Sequence, residues 1–129
     1  MTSCSTSTVR VLIADDHRLF AEALAAILDA DPRLQVVGRA ADGREAVELA
    51  REVEPDVVLL DISMPVLDGF GAAAELAQLP HRPAVVMLTG SSASQDVDRA
   101  RRVGARAYVT KDAIAARLVD TILEAAESP

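Results

Sequence analysis

The stretch DVVLLD, residues 56–61, decides the fold of this chain, because four consecutive apolar residues stand in it between two aspartates. A strand that is covered on both faces is apolar at every position, whereas a strand with one wet face alternates between apolar and polar residues. The run therefore predicts a buried central strand at residues 56–60. Its carboxyl end delivers Asp61 to the edge of the sheet.

Four more apolar runs rich in β-branched residues predict the other strands, at residues 9–14, 34–39, 84–88 and 106–110. The segments between them have the apolar spacing of helices. Strands that alternate with helices pair in parallel through right-handed crossovers. The sequence thus predicts an α/β fold, a (βα)5 doubly wound open parallel sheet, since five units are too few for a closed eight-stranded barrel.

Helical periodicity indicates which residues face the core. The predicted apolar stripes are Leu19, Phe20, Ala23, Leu24, Ile27 and Leu28 in the first helix, Ala46, Val47, Ala50 and Val53 in the second, and Ile114, Leu118, Ile122 and Ala126 in the last. Helices are also predicted at 67–79 and 94–103, and the latter has the thinnest apolar face. Asp42 and Glu45 resemble a capping box, Asp112 is predicted to be an N-cap, and Gly104 a left-handed residue just past a helix end.

Length and composition restrict the class of protein. The chain has 129 residues, half of them apolar, which suits one domain with a single core. Its net charge of −7 disfavours binding to polyanionic nucleic acid. Cys4 is the only cysteine, residues 1–8 are predicted to be a disordered tail, and no apolar run approaches the roughly 20 residues of a membrane span. We therefore expect a soluble cytoplasmic protein that binds neither nucleic acid nor membrane.

Charged and hydroxyl side chains follow four of the five predicted strands. They are Asp15 and Asp16 after the first, Asp61 after the third, Thr89 after the fourth and Lys111 after the fifth. Open parallel sheets bind ligands at this edge. Three neighbouring carboxylates repel one another unless a cation joins them, and Mg²⁺ takes carboxylate and phosphate oxygens. A carboxylate nucleophile, a divalent ion and a lysine are what acyl-phosphate formation on Asp61 requires.

Four motifs in this order resemble the receiver domain of two-component response regulators. They are Asp15-Asp16, LLDISMPVLDG at 59–69, Thr89-Gly90, and Tyr108 three residues before Lys111. The stretches DDHRLF at 15–20 and VVGRAADGREAVELA at 36–50, with Lys111-Asp112, are similar to the subgroup that usually carries a C-terminal helix-turn-helix of the LuxR/NarL type. The resemblance covers residues 9–127 and implies a flavodoxin-like or CheY-like sheet with strand order 2-1-3-4-5.

The resemblance also implies how the acidic residues act. Asp61 is expected to be the phosphoacceptor, phosphorylated by a sensor histidine kinase. Asp16, Asp61 and the backbone carbonyl of Ser63 are expected to bind Mg²⁺ or Mn²⁺, with Asp15 acting mainly through a water. The chain is expected to catalyse only its own phosphoryl transfer and dephosphorylation, and in that sense not to be an enzyme.

A second group of residues is implied to sense the phosphoryl group. Lys111, Thr89 and Gly90 are expected to contact it, and Thr89 with Tyr108 is expected to be the switch pair. Gly90 stands where alanine is more usual, which should leave the site more open. The switch is expected to alter the surface of residues 94–110, to favour a homodimer on phosphorylation, and to control a DNA-binding output domain that these residues do not contain.

Other interpretations of these residues remain open at this point. Asp61 and the pair Asp15-Asp16 can be helix caps, and Thr89 and Tyr108 can be ordinary strand residues. The two histidines, His17 and His81, are predicted to be exposed rather than catalytic, because neither has a nucleophile or metal partner in sequence. Two rival functions are a phosphate-independent interaction module and an Asp-nucleophile phosphohydrolase. Such hydrolases usually carry a second aspartate two residues after the nucleophile, where this chain has Ser63.

Overall fold

The computed structural model describes residues 8–62, 64, 66–90 and 94–127, within which five strands alternate with five α-helices. The strands are β1 (Val9–Ala14), β2 (Leu34–Ala40), β3 (Val57–Asp61), β4 (Ala84–Thr89) and β5 (Ala107–Thr110). The helices are α1 (Arg18–Asp29), α2 (Gly43–Val53), α3 (Gly69–Leu76), α4 (Ser94–Arg102) and α5 (Ile114–Glu127). The predicted tail at residues 1–8 lies almost wholly outside the described residues.

All four strand pairings are parallel, and the order across the sheet is β2-β1-β3-β4-β5. The predicted fold and strand order are therefore confirmed. Every residue of β3 is buried, as its unbroken apolar run predicts, and β2 lies at one edge. The predicted strand limits agree with the observed ones to within one residue.

The two faces of the sheet carry separate apolar clusters, because successive side chains of a strand point to opposite sides. One cluster joins Leu12, Val58, Leu60 and Met87 to α2 and α3. The other joins residues such as Ile13, Leu59 and Leu88 to α1 and α5, and its largest helical members are Leu24, Leu28, Leu118 and Ile122. The sheet is thus covered on both faces, and its carboxyl edge is left for polar groups.

The predicted apolar stripe of α1 is wrong at Leu19 and Ala23. Leu19 is 81% exposed and Ala23 is exposed, whereas Ala21, Leu24 and Leu28 are buried. Leu19 and Leu28 are nine residues apart, which at about 3.6 residues per turn is two and a half turns, so they lie on opposite sides of the helix. The i, i+4 spacing of Leu19 and Ala23 placed them on the predicted stripe, but the side of α1 that is buried is the one that carries Leu24 and Leu28.

The capping of α2 agrees with the prediction. Asp42 accepts a hydrogen bond from the Glu45 backbone N–H at 2.8 Å, and Glu45 reaches back to accept one from the Ala41 N–H at 3.0 Å. The reciprocal bond thus goes to the residue before the N-cap, which differs by one position from the usual capping box. Gly104 has a φ of +96° after α4, as predicted for a left-handed residue past a helix end.

The last helix is preceded by a single 3₁₀ turn at Lys111–Ala113, which directly follows β5 and leads into α5 at Ile114. The side chain of Asp112, in this turn, lies outside the described part of the chain, so its predicted capping role stays a prediction. In α3, by contrast, Asp68 is the N-cap and accepts a hydrogen bond from the Gly71 N–H at 2.8 Å.

No helix within the described ranges is both long and apolar enough to cross a membrane.

Gly69 is predicted to be essential for seating α3 against the end of β3. Its N–H donates to the Ile62 carbonyl at 2.9 Å, and a Cβ at this position would lie 2.4 Å from the Asp61 carbonyl oxygen. Because backbone atoms cannot move aside, Gly69→Ala should lower the free energy of unfolding by about 1–3 kcal/mol in urea denaturation. Gly90→Ala is the matched control, since its Cβ would meet no atom within 4 Å. Equal stability of the two variants would contradict the packing described here.

Candidate functional site

Strand register brings two of the predicted carboxylates side by side. Ala14 of β1 is paired with Leu60 of β3, so Asp15 and Asp61 follow on neighbouring strands at the same level. The side chain of Asp15 is 0% exposed and that of Asp61 is 5% exposed. Asp16 is the most exposed of the three, which leaves its carboxylate open to solvent. Two buried carboxylates in one place require compensation by positive charge.

Lys111 supplies a positive charge at this point. Its ammonium lies 3.3 Å from Asp61 Oδ2, to which it donates a hydrogen bond, and 3.8 Å from Asp15 Oδ2. Lys111 directly follows Thr110, which pairs with Thr89 at the end of β4. The same edge of the sheet therefore gathers the acids of β1 and β3 and the lysine after β5, as the sequence predicted.

A contact that the sequence analysis missed holds the lysine from its other side. The Lys111 ammonium lies over the ring of Phe20, 4.7 Å from its centroid, within the range of a cation–π interaction. Phe20 is half-buried in the first turns of α1. The scarcity of aromatic residues was the available clue, since the chain has two phenylalanines. The partner of Phe20 depends on how α1 lies beside the turn that follows β5, which spacing along the chain does not reveal.

The prediction for His17 was half right. Its side chain is 68% exposed, as expected, yet its Nδ1 lies 3.4 Å from Asp15 Oδ1, 3.3 Å from Asp16 Oδ1 and 3.9 Å from Asp61 Oδ2. The sequence analysis therefore missed that His17 lies within reach of three carboxylates that could bind a metal with it. His81 is exposed and remote from these acids, and its Nε2 lies 3.0 Å from the Pro55 carbonyl oxygen.

The residues present fit a divalent cation. Asp15, Asp16, His17 and Asp61 each offer one ligand atom, and these atoms lie within 4.8 Å of one another. Asp15 Oδ2 is fully buried and has no hydrogen-bond partner, which is costly for a carboxylate oxygen unless a cation lies near it. Lys111 is within ion-pair distance of that oxygen but does not hydrogen-bond to it. Ser63, whose carbonyl was the fourth predicted ligand, lies outside the described residues.

The predicted switch residues lie on adjacent strands with different exposure. Thr89 ends β4 directly after Leu88, the register partner of Asp61, and is buried. Tyr108 lies on β5 beside Met87 and is 41% exposed. A Cβ on Gly90 would meet nothing within 4 Å, which agrees with the expectation that this side of the site is open.

The capping interpretations of the acids do not hold for Asp61. Asp61 is the last residue of β3, and Asp68 is the N-cap of the helix that follows. Asp15 does stabilise the turn into α1, because its Oδ1 accepts a hydrogen bond from the His17 N–H at 2.8 Å. The N-cap of α1 is His17 rather than Asp16, and its side chain makes no capping hydrogen bond.

The comparisons with known protein sequences lead to one protein family. The family model of the response regulator receiver domain matches residues 11–123. The transcriptional regulatory protein LiaR of Bacillus subtilis is 37% identical over 119 residues, which are 92% of this chain and 56% of LiaR. Protein-glutamate methylesterase/protein-glutamine glutaminase 2 of Photobacterium profundum is 42% identical over 93 residues, 70% of this chain and 24% of that protein. The chain thus spans about half of one relative and a quarter of the other.

Solved structures agree with the sequence comparison. The signal receiver domain of the putative response regulator NarL from Mycobacterium tuberculosis superposes with a TM-score of 0.90 at 33% identity, covering 95% of this chain and 99% of that domain. The similarity therefore extends over the whole sheet and all of its helices.

The charge balance of the site predicts an unusual effect of Asp15→Asn. When a chelator removes divalent ions, Asp15→Asn eliminates a buried negative charge whose Oδ2 has no hydrogen-bond partner. The substitution should therefore stabilise the fold by about 1 kcal/mol or more. For a domain of this size that is a rise of roughly 3–6 °C in Tm by calorimetry. Asp120→Asn, on the exposed side of α5, is the control and should leave Tm nearly unchanged.

Added Mg²⁺ should reduce or reverse the difference in Tm between the wild type and Asp15→Asn. Millimolar Mg²⁺ should raise the Tm of the wild type, because an ion that binds the native state alone stabilises it, and should raise that of Asp15→Asn less. A variant that is less stable in chelator and gains as much from Mg²⁺ as the wild type would show that Asp15 is not electrostatically strained.

Proposed function

This chain belongs to the response regulator receiver domain family, and from that premise we propose that it is a signalling switch whose phosphoacceptor is Asp61. One observation carries the proposal. The Asp61 carboxylate stands at the carboxyl end of the central strand, almost buried, with the Lys111 ammonium 3.3 Å from one of its oxygens. A carboxylate so placed is a nucleophile beside a fixed cation, which is what transfer of an anionic phosphoryl group requires.

In the proposed reaction an oxygen of Asp61 attacks the phosphorus of a phosphohistidine on a sensor histidine kinase. A P–O bond forms at Asp61 while the P–N bond to the donor imidazole breaks, and the imidazole leaves with the bonding electrons. Lys111 already contacts Asp61 and Asp15, so it needs only a small movement to pair with a phosphoryl oxygen. Phe20 limits the positions open to the ammonium, because the ring lies against it on the other side.

The metal-binding residues in this proposal are Asp16, Asp61 and the Ser63 carbonyl for Mg²⁺ or Mn²⁺, with Asp15 acting through a water. When bound, such an ion screens the repulsion between the carboxylates and the phosphoryl oxygens. The support is the buried Asp15 oxygen without a hydrogen-bond partner, together with the short distances between the donor atoms. Asp15 also orients the turn that presents Asp16, through its bond to the His17 N–H.

The receiving side of the switch consists of Thr89, Gly90 and Tyr108. Thr89 is buried next to the site and Tyr108 is exposed on the neighbouring strand, so a movement of Thr89 toward Asp61 makes room for the ring of Tyr108 to turn inward. The surface of residues 94–110 would change as a result. We propose that this surface meets a partner or a second copy of the chain.

The output of the switch is proposed to be transcriptional. LiaR is a transcriptional regulatory protein, and the stretches at 15–20 and 36–50 resemble the subgroup with a LuxR/NarL-type DNA-binding domain. A protein-glutamate methylesterase is also a relative, so an enzymatic output is the alternative. We propose that residues 9–127 form the receiver domain, that it acts in the cytoplasm, and that it does not itself bind DNA.

The two rival functions have less support. An interaction module with a vestigial site would not need to keep Lys111 against Asp61, and a phosphohydrolase would need an acid where the chain has Ser63. Of the two, the phosphate-independent module is the one to test against, since its fold would be the same.

Asp61→Asn should abolish phosphorylation. Acetyl phosphate with Mg²⁺ should add one phosphoryl group to the wild type by intact-mass spectrometry, and none to the variant, because an amide is not a nucleophile of this kind. Asp56→Asn, at the opposite end of β3, is the control and should be labelled like the wild type. Label on Asp61→Asn, or none on the wild type with the donor and Mg²⁺ both present, would contradict the assignment.

Phosphorylation should alter hydrogen exchange around Thr89, in α4 and around Tyr108, while β3 stays protected. Only the phosphorylated state offers phosphoryl oxygens to the Thr89 hydroxyl, so only that state can bias the loop after β4. Beryllofluoride with Mg²⁺ is the probe, and exchange is followed by mass spectrometry. Thr89→Ala should keep beryllofluoride binding but lose most of the response. A change in hydrogen exchange confined to α2 would contradict the proposed switch but not the assignment of Asp61 as the phosphoacceptor.

A further inference from the structure

His17 is placed to be a nitrogen ligand of the metal site, a role that the receiver-domain pattern of carboxylates does not assign. Its Nδ1 is 3.3 Å from Asp16 Oδ1 and 3.4 Å from Asp15 Oδ1, and 3.9 Å from Asp61 Oδ2. Two ligand atoms each about 2.1 Å from one ion in tetrahedral geometry are about 3.4 Å apart. Two of the three separations equal this value within 0.1 Å, and the third requires a small shift.

The local backbone supports this position of the imidazole. His17 is the N-cap residue of α1, but its side chain makes no capping hydrogen bond. Its N–H is already taken up by Asp15 Oδ1 at 2.8 Å, which fixes the residue beside the carboxylates. The backbone of His17 is therefore anchored by the same acid that its imidazole faces, and the side chain has no capping role in the helix.

A second observation points to a cation at this place independently of the histidine. Asp15 Oδ2 belongs to a side chain with no exposure, lies at the same cluster, and has no hydrogen-bond partner. Its contact with Lys111, at 3.8 Å, is too long for a hydrogen bond. The carboxylate that His17 faces through Oδ1 thus has, on its other oxygen, an unmet requirement for positive charge or a hydrogen-bond donor.

We propose that His17 completes a four-ligand site with Asp15, Asp16 and Asp61 that prefers borderline divalent ions such as Zn²⁺ and Co²⁺ to Mg²⁺. Mg²⁺ favours oxygen ligands in octahedral geometry, whereas imidazole suits Zn²⁺ and its neighbours. A tetrahedral ion held by all four side chains has no coordination position left for a phosphoryl oxygen, whereas octahedral Mg²⁺ keeps water positions that such an oxygen can take. The four-ligand ion would therefore block phosphorylation of Asp61, so the ion present decides whether the switch can be phosphorylated.

The inference extends the proposed metal site. Its consequence for phosphorylation rests on the proposed function, but metal binding itself can be measured without phosphorylation. The metal-free protein is titrated with Co²⁺, followed by its visible absorption, and separately with Mg²⁺, followed by calorimetry. Electron-spin-echo spectroscopy of the Co²⁺ form reports a coordinated nitrogen directly. His17→Gln is the test variant, and His81→Gln, which changes the other histidine of the chain, is the matched control.

His17→Gln should weaken Co²⁺ binding at least about tenfold while changing Mg²⁺ affinity much less, because the lost ligand is nitrogen. The nitrogen modulation should disappear in His17→Gln and persist in His81→Gln. A cooperative unfolding transition, measured with a chelator present, should show that the His17→Gln variant is folded without metal. A ratio of Co²⁺ to Mg²⁺ affinity that His17→Gln leaves unchanged, or a wild type without nitrogen modulation, would overturn the proposal.

The outcome is separable from that of the proposed function. If the wild type accepts phosphate from acetyl phosphate in Mg²⁺ but shows no bound nitrogen, the nitrogen ligand fails and the phosphoacceptor stands. If nitrogen is bound but Asp61 is never labelled in Mg²⁺, the phosphoacceptor fails and the metal site stands. Excess Zn²⁺ should suppress labelling of the wild type several-fold, and unchanged labelling with Zn²⁺ bound would contradict the blocking of Asp61.

Discussion

The contact between the Lys111 ammonium and the Asp61 carboxylate, at 3.3 Å, is the interaction on which the rest of the site depends. Register places Asp15 beside Asp61 whether or not a cation is near, because both follow paired residues of adjacent parallel strands. Two buried carboxylates would destabilise the fold without compensation. The fold therefore requires positive charge at the carboxyl edge of the sheet, and Lys111 compensates the two carboxylates only in part.

The negative charge that Lys111 leaves uncompensated links the stability of the fold to its proposed function. Asp15 keeps a buried oxygen without a hydrogen-bond partner, and Asp16 is the more exposed acid of the pair. A cation would satisfy both, and in the proposed switch a phosphoryl group on Asp61 would bring negative charge that Lys111 and Thr89 would have to accommodate. The same electrostatic imbalance that favours metal binding makes the site sensitive to what is attached to Asp61, since Thr89 and Tyr108 lie one strand and two strands away from it.

Sequence was sufficient for features that depend on local pattern. The unbroken apolar run of β3, the alternation of strands and helices and the polar residues at strand ends were enough to predict the sheet and the position of Asp61. Features that depend on helix rotation were not accessible: Leu19 is apolar but faces solvent. Contacts between elements distant in the chain, such as Phe20 with Lys111, depend on how α1 lies beside the turn after β5. His17 was judged by its neighbours in sequence, while its partners are brought together by the sheet.

Chemical trapping tests the central claim, that this cluster exists to take a phosphoryl group on Asp61. Borohydride reduces an aspartyl phosphate to homoserine, which tandem mass spectrometry locates by residue. After incubation with acetyl phosphate and Mg²⁺, homoserine should appear at position 61 and at no other aspartate, and chelation of the metal should remove it. Homoserine at Asp15 or Asp16, or a phosphorylated protein that yields none, would contradict the account.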